Sequence, residues 1–218
     1  MVYALAHIRG GQEMGRDWYD NGRMFHKMNS FTDFIDVTRW LVGNGYAAKD
    51  RVAAMGGSAG GLLMGAISNM APQDYRVILS QVPFVDVVNT MSDTSLPLTP
   101  GEWPEWGNPL EDAEAYDYIA SYSPYDQITS QAYPAVLSVG GLSDPRVTYW
   151  EPAKWTARLR ATRTDANPLL MKINMGAGHG GKTGRYVALE ERAEAYAFIV
   201  GQLGYGAAAV PGIAEADR

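Results

Sequence analysis

One serine in this sequence lies among glycines in a pattern typical of a catalytic nucleophile. Residues Gly56 to Gly60 fit the motif G-x-S-x-G, with Ser58 at its centre. An apolar segment precedes the motif and a run of helix formers follows it, which predicts a strand, a sharp turn and a helix. We expect the glycines at both ends to relieve crowding, and the Ala59 amide at the helix start to bind a developing oxyanion. An idle glycine-rich turn is the alternative; no phosphate-loop motif is present here.

A serine hydroxyl needs a base to take its proton, and the sequence holds three histidines. We expect His7 to be a core residue of a buried strand and His26 to be a surface residue. His179 lies in the segment GAGHGG after the last predicted strand, and it is the only histidine after Ser58. This position fits the α/β-hydrolase chain order of serine, acid and histidine.

Two aspartates follow predicted strands and are candidates for the acid that orients the base. We favour Asp144, in GGLSDPRV, because its loop is short, glycine-rich and next to the final strand; Asp86, in VPFVDVV, is the second candidate. Asp144 precedes a proline, so it is also a common turn residue. The sequence has no cysteine and no metal-binding motif, so we expect neither a metal nor a cofactor.

Strand and helix patterns alternate along the chain, which predicts an α/β fold: a mostly parallel sheet with helices on both faces. The predicted strands lie within residues 2–8, 51–57, 76–88, 134–144 and 168–181, and the predicted helices within 29–45, 59–70, 149–163 and 184–204. Residues 91–123 contain many Pro, Gly and Trp, so we expect an irregular excursion there. Residues 1–204 form the predicted catalytic domain, and residues 205–218 a disordered tail.

Composition limits the function classes. The net charge is -6 and there is no basic run, which argues against nucleic acid and anionic membrane surfaces. No apolar stretch approaches the roughly 20 residues of a membrane span, and the N-terminus is a poor signal peptide. We therefore expect a soluble, cytoplasmic protein. Charged residues make up 19%, below the usual ~25%, which suggests surface for another chain.

Several blocks of the sequence resemble the catalytic domain of oligopeptidase B, in the prolyl oligopeptidase family of serine peptidases. These blocks are HIRGGQEMGRDWYDNGR, GGSAGGLLMGA, VPFVDVV, GEWPEWGNP, YSPYD, DPRVTYWEPAKW and GHGGKTGR. The resemblance extends to about Gly204. It implies an α/β-hydrolase fold in which Ser58 is the nucleophile, His179 the base and Asp144 the acid.

The resemblance also implies substrate contacts and cleavage of short peptides after arginine or lysine. Arg146 matches an arginine that binds a substrate backbone carbonyl, which suits a guanidinium. Glu102 matches an acid that selects a basic side chain. The chain departs from the family at Pro104, where a second acid is common. Glu105 is nearby, so basic selectivity is expected to be weaker.

The family's β-propeller and first hydrolase strands have no counterpart in these residues, so the resemblance implies an N-terminally truncated hydrolase fold. Val2–Ile8 resembles the fourth hydrolase strand and Arg51–Met55 the fifth, and the family's third strand lies between them. These two segments either pair directly or leave the position of the third strand open. An open position predicts that a second copy of the chain or another segment fills it, as a homo-oligomer or a complementing segment. The strand region that is missing also carries half of the family's oxyanion hole. A standalone carboxylesterase acting on small acyl esters, and an inactive fragment that binds a partner chain, therefore stay open as alternatives.

Overall fold

The computed structural model of the chain describes residues 1–205. The helices are α1 (Arg16–Asp20), α2 (Met28–Gly43), α3 (Ala59–Met70), α4 (Val87–Met91), α5 (Thr99–Trp106), α6 (Ala113–Tyr122), α7 (Trp150–Thr162) and α8 (Val187–Gln202). The strands are β1 (Ala53–Gly57), β2 (Val77–Gln81), β3 (Ala135–Gly141) and β4 (Leu169–Asn174). Short 3-10 turns lie at Met24–His26 and Pro72–Asp74.

The strands form one parallel sheet in the order β1-β2-β3-β4. Each strand therefore pairs with the next one along the chain, and each connection contains at least one helix. Because all strands run the same way, their carboxyl ends meet at one edge, where loops collect functional residues. The predicted parallel sheet is confirmed.

Helices cover both faces of this sheet. On one face, Ile78 of β2 belongs to a buried cluster with Met64 of α3 and Trp155 of α7. On the other face, Leu79 of β2 is buried in a cluster with Ile199 of α8. Neighbouring β2 residues thus point to opposite faces and both are fully buried, as expected of a strand between two helix layers.

The N-terminal segment differs from the prediction. Residues 2–8 form no strand, and Val2, Tyr3 and Leu5 are exposed. The side chain of His7 is 54% exposed and lies 3.6 Å from Glu13, so it is not a core residue. An apolar run becomes a buried strand only beside a partner strand, and within residues 1–205 this segment has none.

Residues 91–123 were expected to be irregular, yet they contain α5 and α6. Asp112 accepts a hydrogen bond from the Glu114 amide at 2.9 Å and so caps α6. Trp106 and Ile119 are buried in a cluster with Phe84. Tertiary burial therefore outweighs the helix-breaking composition of the segment.

Two further predicted details change, and a third lies outside the described residues. The strand predicted within residues 76–88 ends at Gln81, and its last part turns into α4. Helix α2 spans Met28–Gly43 instead of residues 29–45, and the Ser30 hydroxyl in its first turn donates to the Arg9 carbonyl at 2.6 Å. The predicted disordered tail lies outside the described residues, apart from Tyr205. None of the helices in residues 1–205 has the length and apolar character that crossing a membrane requires.

Candidate active site

Ser58 lies in the sharp turn between β1 and α3, as the motif predicted. Its backbone has φ 57° and ψ -118°, a strained conformation for a residue with a side chain. The turn is fixed from the neighbouring strand, because the Ser58 amide donates to the Gln81 carbonyl at 2.9 Å. The Phe84 amide in turn donates to the Ser58 carbonyl at 3.2 Å. These bonds hold the strained residue in place.

Two glycines make this turn possible, and only one of them is at a predicted position. A Cβ on Gly56 would lie 2.4 Å from the Gly60 carbonyl oxygen, so only glycine fits there. A Cβ on Gly60 would meet nothing within 4 Å, so Gly60 does not relieve crowding by lacking a side chain. The second close approach is at Gly61, whose Cβ would lie 2.5 Å from the Cα of Pro83.

Asp144 and His179 meet at the carboxyl ends of β3 and β4. His179 Nδ1 lies 2.8 Å from Asp144 Oδ2, and the Asp144 side chain is fully buried. The other carboxylate oxygen accepts the amides of Arg146 at 2.8 Å and Val147 at 3.0 Å. Asp144 is therefore both a turn residue and the partner of the imidazole. A carboxylate in this position keeps a proton on Nδ1 and leaves Nε2 free to act as a base.

A close approach between two loops brings these side chains together. A Cβ on Gly141 would lie 2.6 Å from the carbonyl oxygens of both Ala177 and Gly178. The Ser143 amide donates to the Ala177 carbonyl at 3.1 Å. The glycine at the end of β3 thus allows the loop of Asp144 to contact the loop of His179.

The other candidates lie elsewhere. Asp86 contacts Lys154 and Asn89 instead of a histidine. His26 is exposed at the end of a 3-10 turn.

His179 and the nucleophile turn face a common cavity. Gly57, which precedes Ser58, lines a cavity of about 260 Å³ together with His179. Among residues 1–205 the Ser58 hydroxyl makes no hydrogen bond, so the contact with His179 is not formed in this structure. Such contacts are often long in enzymes without substrate and tighten when substrate binds.

A larger cavity, of about 550 Å³, brings together the predicted substrate residues. Ser58, Ala59, Arg146, Glu102 and Glu105 all line it. Its apolar lining includes Phe84, Met91, Leu98, Trp106 and Val147. A side chain with a long hydrocarbon stem and a polar end would meet both kinds of surface here.

Neighbouring side chains hold the two carboxylates in place. The Trp106 indole donates to Glu102 Oε2 at 2.8 Å, and the Tyr19 hydroxyl donates to Glu105 Oε2 at 2.6 Å. The hydrogen bond to Glu105 raises the pKa of Tyr19. Sequence reasoning gave Tyr19 no role, although it lies in a block that carried the family resemblance.

A buried carboxyl group supports the wall of this cavity. Glu151, in the first turn of α7, is fully buried and accepts the amides of Val85 at 2.9 Å and Asp86 at 3.0 Å. It also accepts the hydroxyl of Thr90 at 2.7 Å, and Thr90 lines the cavity. Burial raises the pKa of Glu151 to about 7. Sequence reasoning missed this residue, since nothing local marks it as buried.

The described residues offer no obvious metal site. Within residues 1–205 no three His, Asp or Glu side chains lie close enough together to hold a metal ion.

Comparisons with known proteins agree with this fold. Residues 1–206 match the Prolyl oligopeptidase family. The chain is 64% identical over 204 residues to dipeptidyl aminopeptidase BI of Pseudoxanthomonas mexicana, covering 94% of this chain and 28% of the relative. It is 55% identical over 204 residues to protease 2 of Moraxella lacunata, covering 94% of this chain and 29% of the relative.

Solved structures show the same relationship. Oligopeptidase B from Leishmania major has a TM-score of 0.89 at 48% identity, over 91% of this chain and 28% of that one. Oligopeptidase B from Trypanosoma brucei, with covalently bound antipain, has a TM-score of 0.88 at 47% identity, over 90% of this chain and 28% of that one. The predicted α/β-hydrolase fold and the resemblance to oligopeptidase B are confirmed. The chain spans little more than a quarter of the length of these relatives, and it belongs to the prolyl oligopeptidase family.

Proposed function

We propose that this chain carries the catalytic unit of a serine peptidase that works through an acyl-enzyme. The observation that supports it best is the 2.8 Å contact between Asp144 and His179, which shares a cavity with Gly57 of the strained Ser58 turn. In this mechanism Ser58 Oγ attacks the scissile carbonyl carbon while His179 Nε2 takes the hydroxyl proton. The same nitrogen returns that proton to the leaving amine, and water then hydrolyses the ester.

The oxyanion needs donors that are fixed before the reaction. Ala59 is the first residue of α3, so its amide lies at the positive end of the helix dipole, which favours negative charge. We assign Ala59 as one donor. Removing a single oxyanion donor costs about 10²–10³ in rate, so a site with this donor alone would hydrolyse amides slowly.

The substrate proposed is a short peptide cut after arginine or lysine. Glu102 and Glu105 share the cavity of Ser58 and carry charge opposite to a basic side chain. Arg146 lines the same cavity, and we assign it to a substrate backbone carbonyl. The similarity to oligopeptidase B of two organisms supports a short peptide as the substrate.

Active-site labelling tests the nucleophile. A fluorophosphonate probe should modify wild-type protein on the peptide containing Ser58 and should not modify S58A. The variant S95A, at an exposed serine outside both cavities, should label like wild type. Absence of labelling in folded wild type would favour the inactive fragment that only binds a partner.

Substrate comparison separates the remaining alternative. An arginyl amide and a short-chain nitrophenyl ester should be offered to the same preparation. Hydrolysis of the amide supports the peptidase, whereas hydrolysis of the ester alone would favour the carboxylesterase.

We also propose that a second copy of the chain covers the free edge of β1. Within residues 1–205, β1 is an edge strand, and Met55 on it is 38% exposed. Edges of this kind are normally covered. Light scattering during gel filtration should give twice the mass of one chain, and a stable monomer would contradict this proposal.

A further inference from the structure

A lysine lies inside the acid-lined cavity. Lys27, directly before α2, lines the cavity together with Ser58, Glu102 and Glu105. Its ammonium lies 5.0 Å from the centre of the Trp106 ring, over the ring face. An indole face is the surface on which a substrate guanidinium would stack. Lys27 therefore occupies a place that suits a basic substrate.

This ammonium differs from the other partly buried lysines. Lys154 pairs with Asp86, and Lys172 pairs with Glu194. By contrast, the Lys27 ammonium donates no hydrogen bond to any of residues 1–205. Burial lowers the pKa of Lys27, and the charge of Glu105 opposes that shift. Lys27 thus interacts with the cavity through the field of Glu105 and the indole face, without a direct ion pair.

We propose that Lys27 is a specificity-determining residue, a resident cation that competes with a basic substrate side chain for Glu102, Glu105 and the face of Trp106. The proposal rests on the proposed function, because it concerns the substrate side chain next to the cut bond. Glu102, Glu105 and Lys27 together carry one net negative charge, and Arg146 in the same cavity is assigned to the substrate backbone. A substrate cation gains less from entering such a cavity than from entering one with two uncompensated carboxylates. Selection for arginine over a neutral side chain of the same shape is therefore weakened.

Matched substrates measure this effect directly. Citrulline has nearly the shape of arginine but no charge, so the ratio of kcat/KM for arginyl and citrullyl substrates with one leaving group isolates the charge. K27M keeps most of the hydrocarbon stem and removes the ammonium. We expect K27M to raise the arginine-to-citrulline ratio on the order of tenfold, as Coulomb's law gives for unit charges sharing one partly solvated cavity.

Two variants control for other causes. K27R keeps the positive charge, and because the ratio depends on that charge it should stay within about twofold of wild type. K49M removes one positive charge from an exposed loop outside both cavities, and it should also leave the ratio unchanged. If K27M does not fold, as judged by circular dichroism, K27Q carries the same test. An unchanged ratio in a folded, neutral variant would overturn the proposal and leave Lys27 as part of the cavity wall.

A binding measurement separates this proposal from the proposed function. Agmatine carries the guanidinium and stem of arginine, and its affinity can be measured by calorimetry on the S58A protein without any hydrolysis. Tighter binding to K27M/S58A than to S58A, on the order of tenfold, supports the role of Lys27 even if wild type hydrolyses nothing. Equal affinity for both would overturn it, even if wild type proves to be an active peptidase.

Discussion

Two regions of the molecule are held in very different ways: the carboxyl ends of β1, β3 and β4, and the segment before Arg9. At the strand ends, Gly56 and Gly141 lie so close to neighbouring backbone that no side chain would fit. Before Arg9, by contrast, Val2 is 66% exposed and Tyr3 is 74% exposed. Arg9 itself is held firmly, because its amide and guanidinium both donate to Asp33.

This difference shows which parts of the candidate site depend on local contacts. The loops of Ser58, Asp144 and His179 are positioned by hydrogen bonds and close approaches among residues 1–205. The apolar residues of the N-terminal segment find no such partners. Substitutions in the two regions should therefore have very different consequences.

The largest effect is expected at Asp144. In D144N an amide replaces the carboxylate, so the wrong imidazole tautomer is favoured while an oxygen remains to accept the amides of Arg146 and Val147. We expect kcat to fall on the order of 10⁴-fold, because a triad whose histidine holds the wrong tautomer loses about that much, and we expect little loss of stability. Activity assays and urea unfolding measure the two effects.

D86N is the matched control for D144N. Asp86 was the second candidate acid, and it contacts Lys154 instead of His179. D86N should retain most activity. A loss in D86N as large as that in D144N would contradict the assignment of the acid.

The next effect concerns the glycines of the Ser58 turn. G56A would place a methyl group 2.4 Å from the Gly60 carbonyl oxygen, and overpacking against backbone costs about 1–3 kcal/mol or more. G60A has open space and should be neutral or stabilising by up to about 1 kcal/mol, because alanine favours the helix. Urea unfolding compares the pair. Equal destabilisation by G56A and G60A would mean that the close approach of Gly56 to the Gly60 carbonyl does not govern stability.

These two regions also explain what the sequence could and could not predict. The turn of Ser58 is encoded locally, by glycines at fixed spacing between a strand and a helix. His179 follows from the chain order of elements, and Asp144 from its short, glycine-rich loop next to the final strand. The run Val2–Ile8 is as apolar as a buried strand, yet whether it forms one depends on a partner strand beside it.

Long-range contacts account for the residues that were missed. Tyr19 reaches Glu105, and Glu151 reaches Val85, across large separations in sequence. No spacing rule within one segment can indicate such contacts. The glycine at 61 was missed for the same reason, because its close neighbour is Pro83.

Near the candidate site, Glu151 should make the free energy of unfolding depend on pH. Its pKa is raised from 4.5 to about 7 in the folded protein, so the folded state binds the proton more tightly than the unfolded state. The stabilisation is therefore fully present below about pH 4.5 and is lost as the pH rises through 7. The free energy of unfolding of wild type relative to E151Q should fall by about 2–3 kcal/mol between those limits. Urea unfolding at pH 5 and pH 8 tests this, and a difference that does not change with pH would contradict it.

The smallest effect is expected in the N-terminal segment. Leu5 is 69% exposed, so L5A removes little buried surface and should change the free energy of unfolding by less than about 0.5 kcal/mol. Leu62 is fully buried, and L62A should cost about 2–5 kcal/mol. Both variants should be unfolded in urea at low protein concentration and again at high concentration. If association of two copies also buries this segment, L5A will become destabilising only at the higher concentration, because association adds to stability by mass action. A large cost for L5A at every concentration would instead mean that the segment is buried within one chain, and the contrast between the two regions would fail.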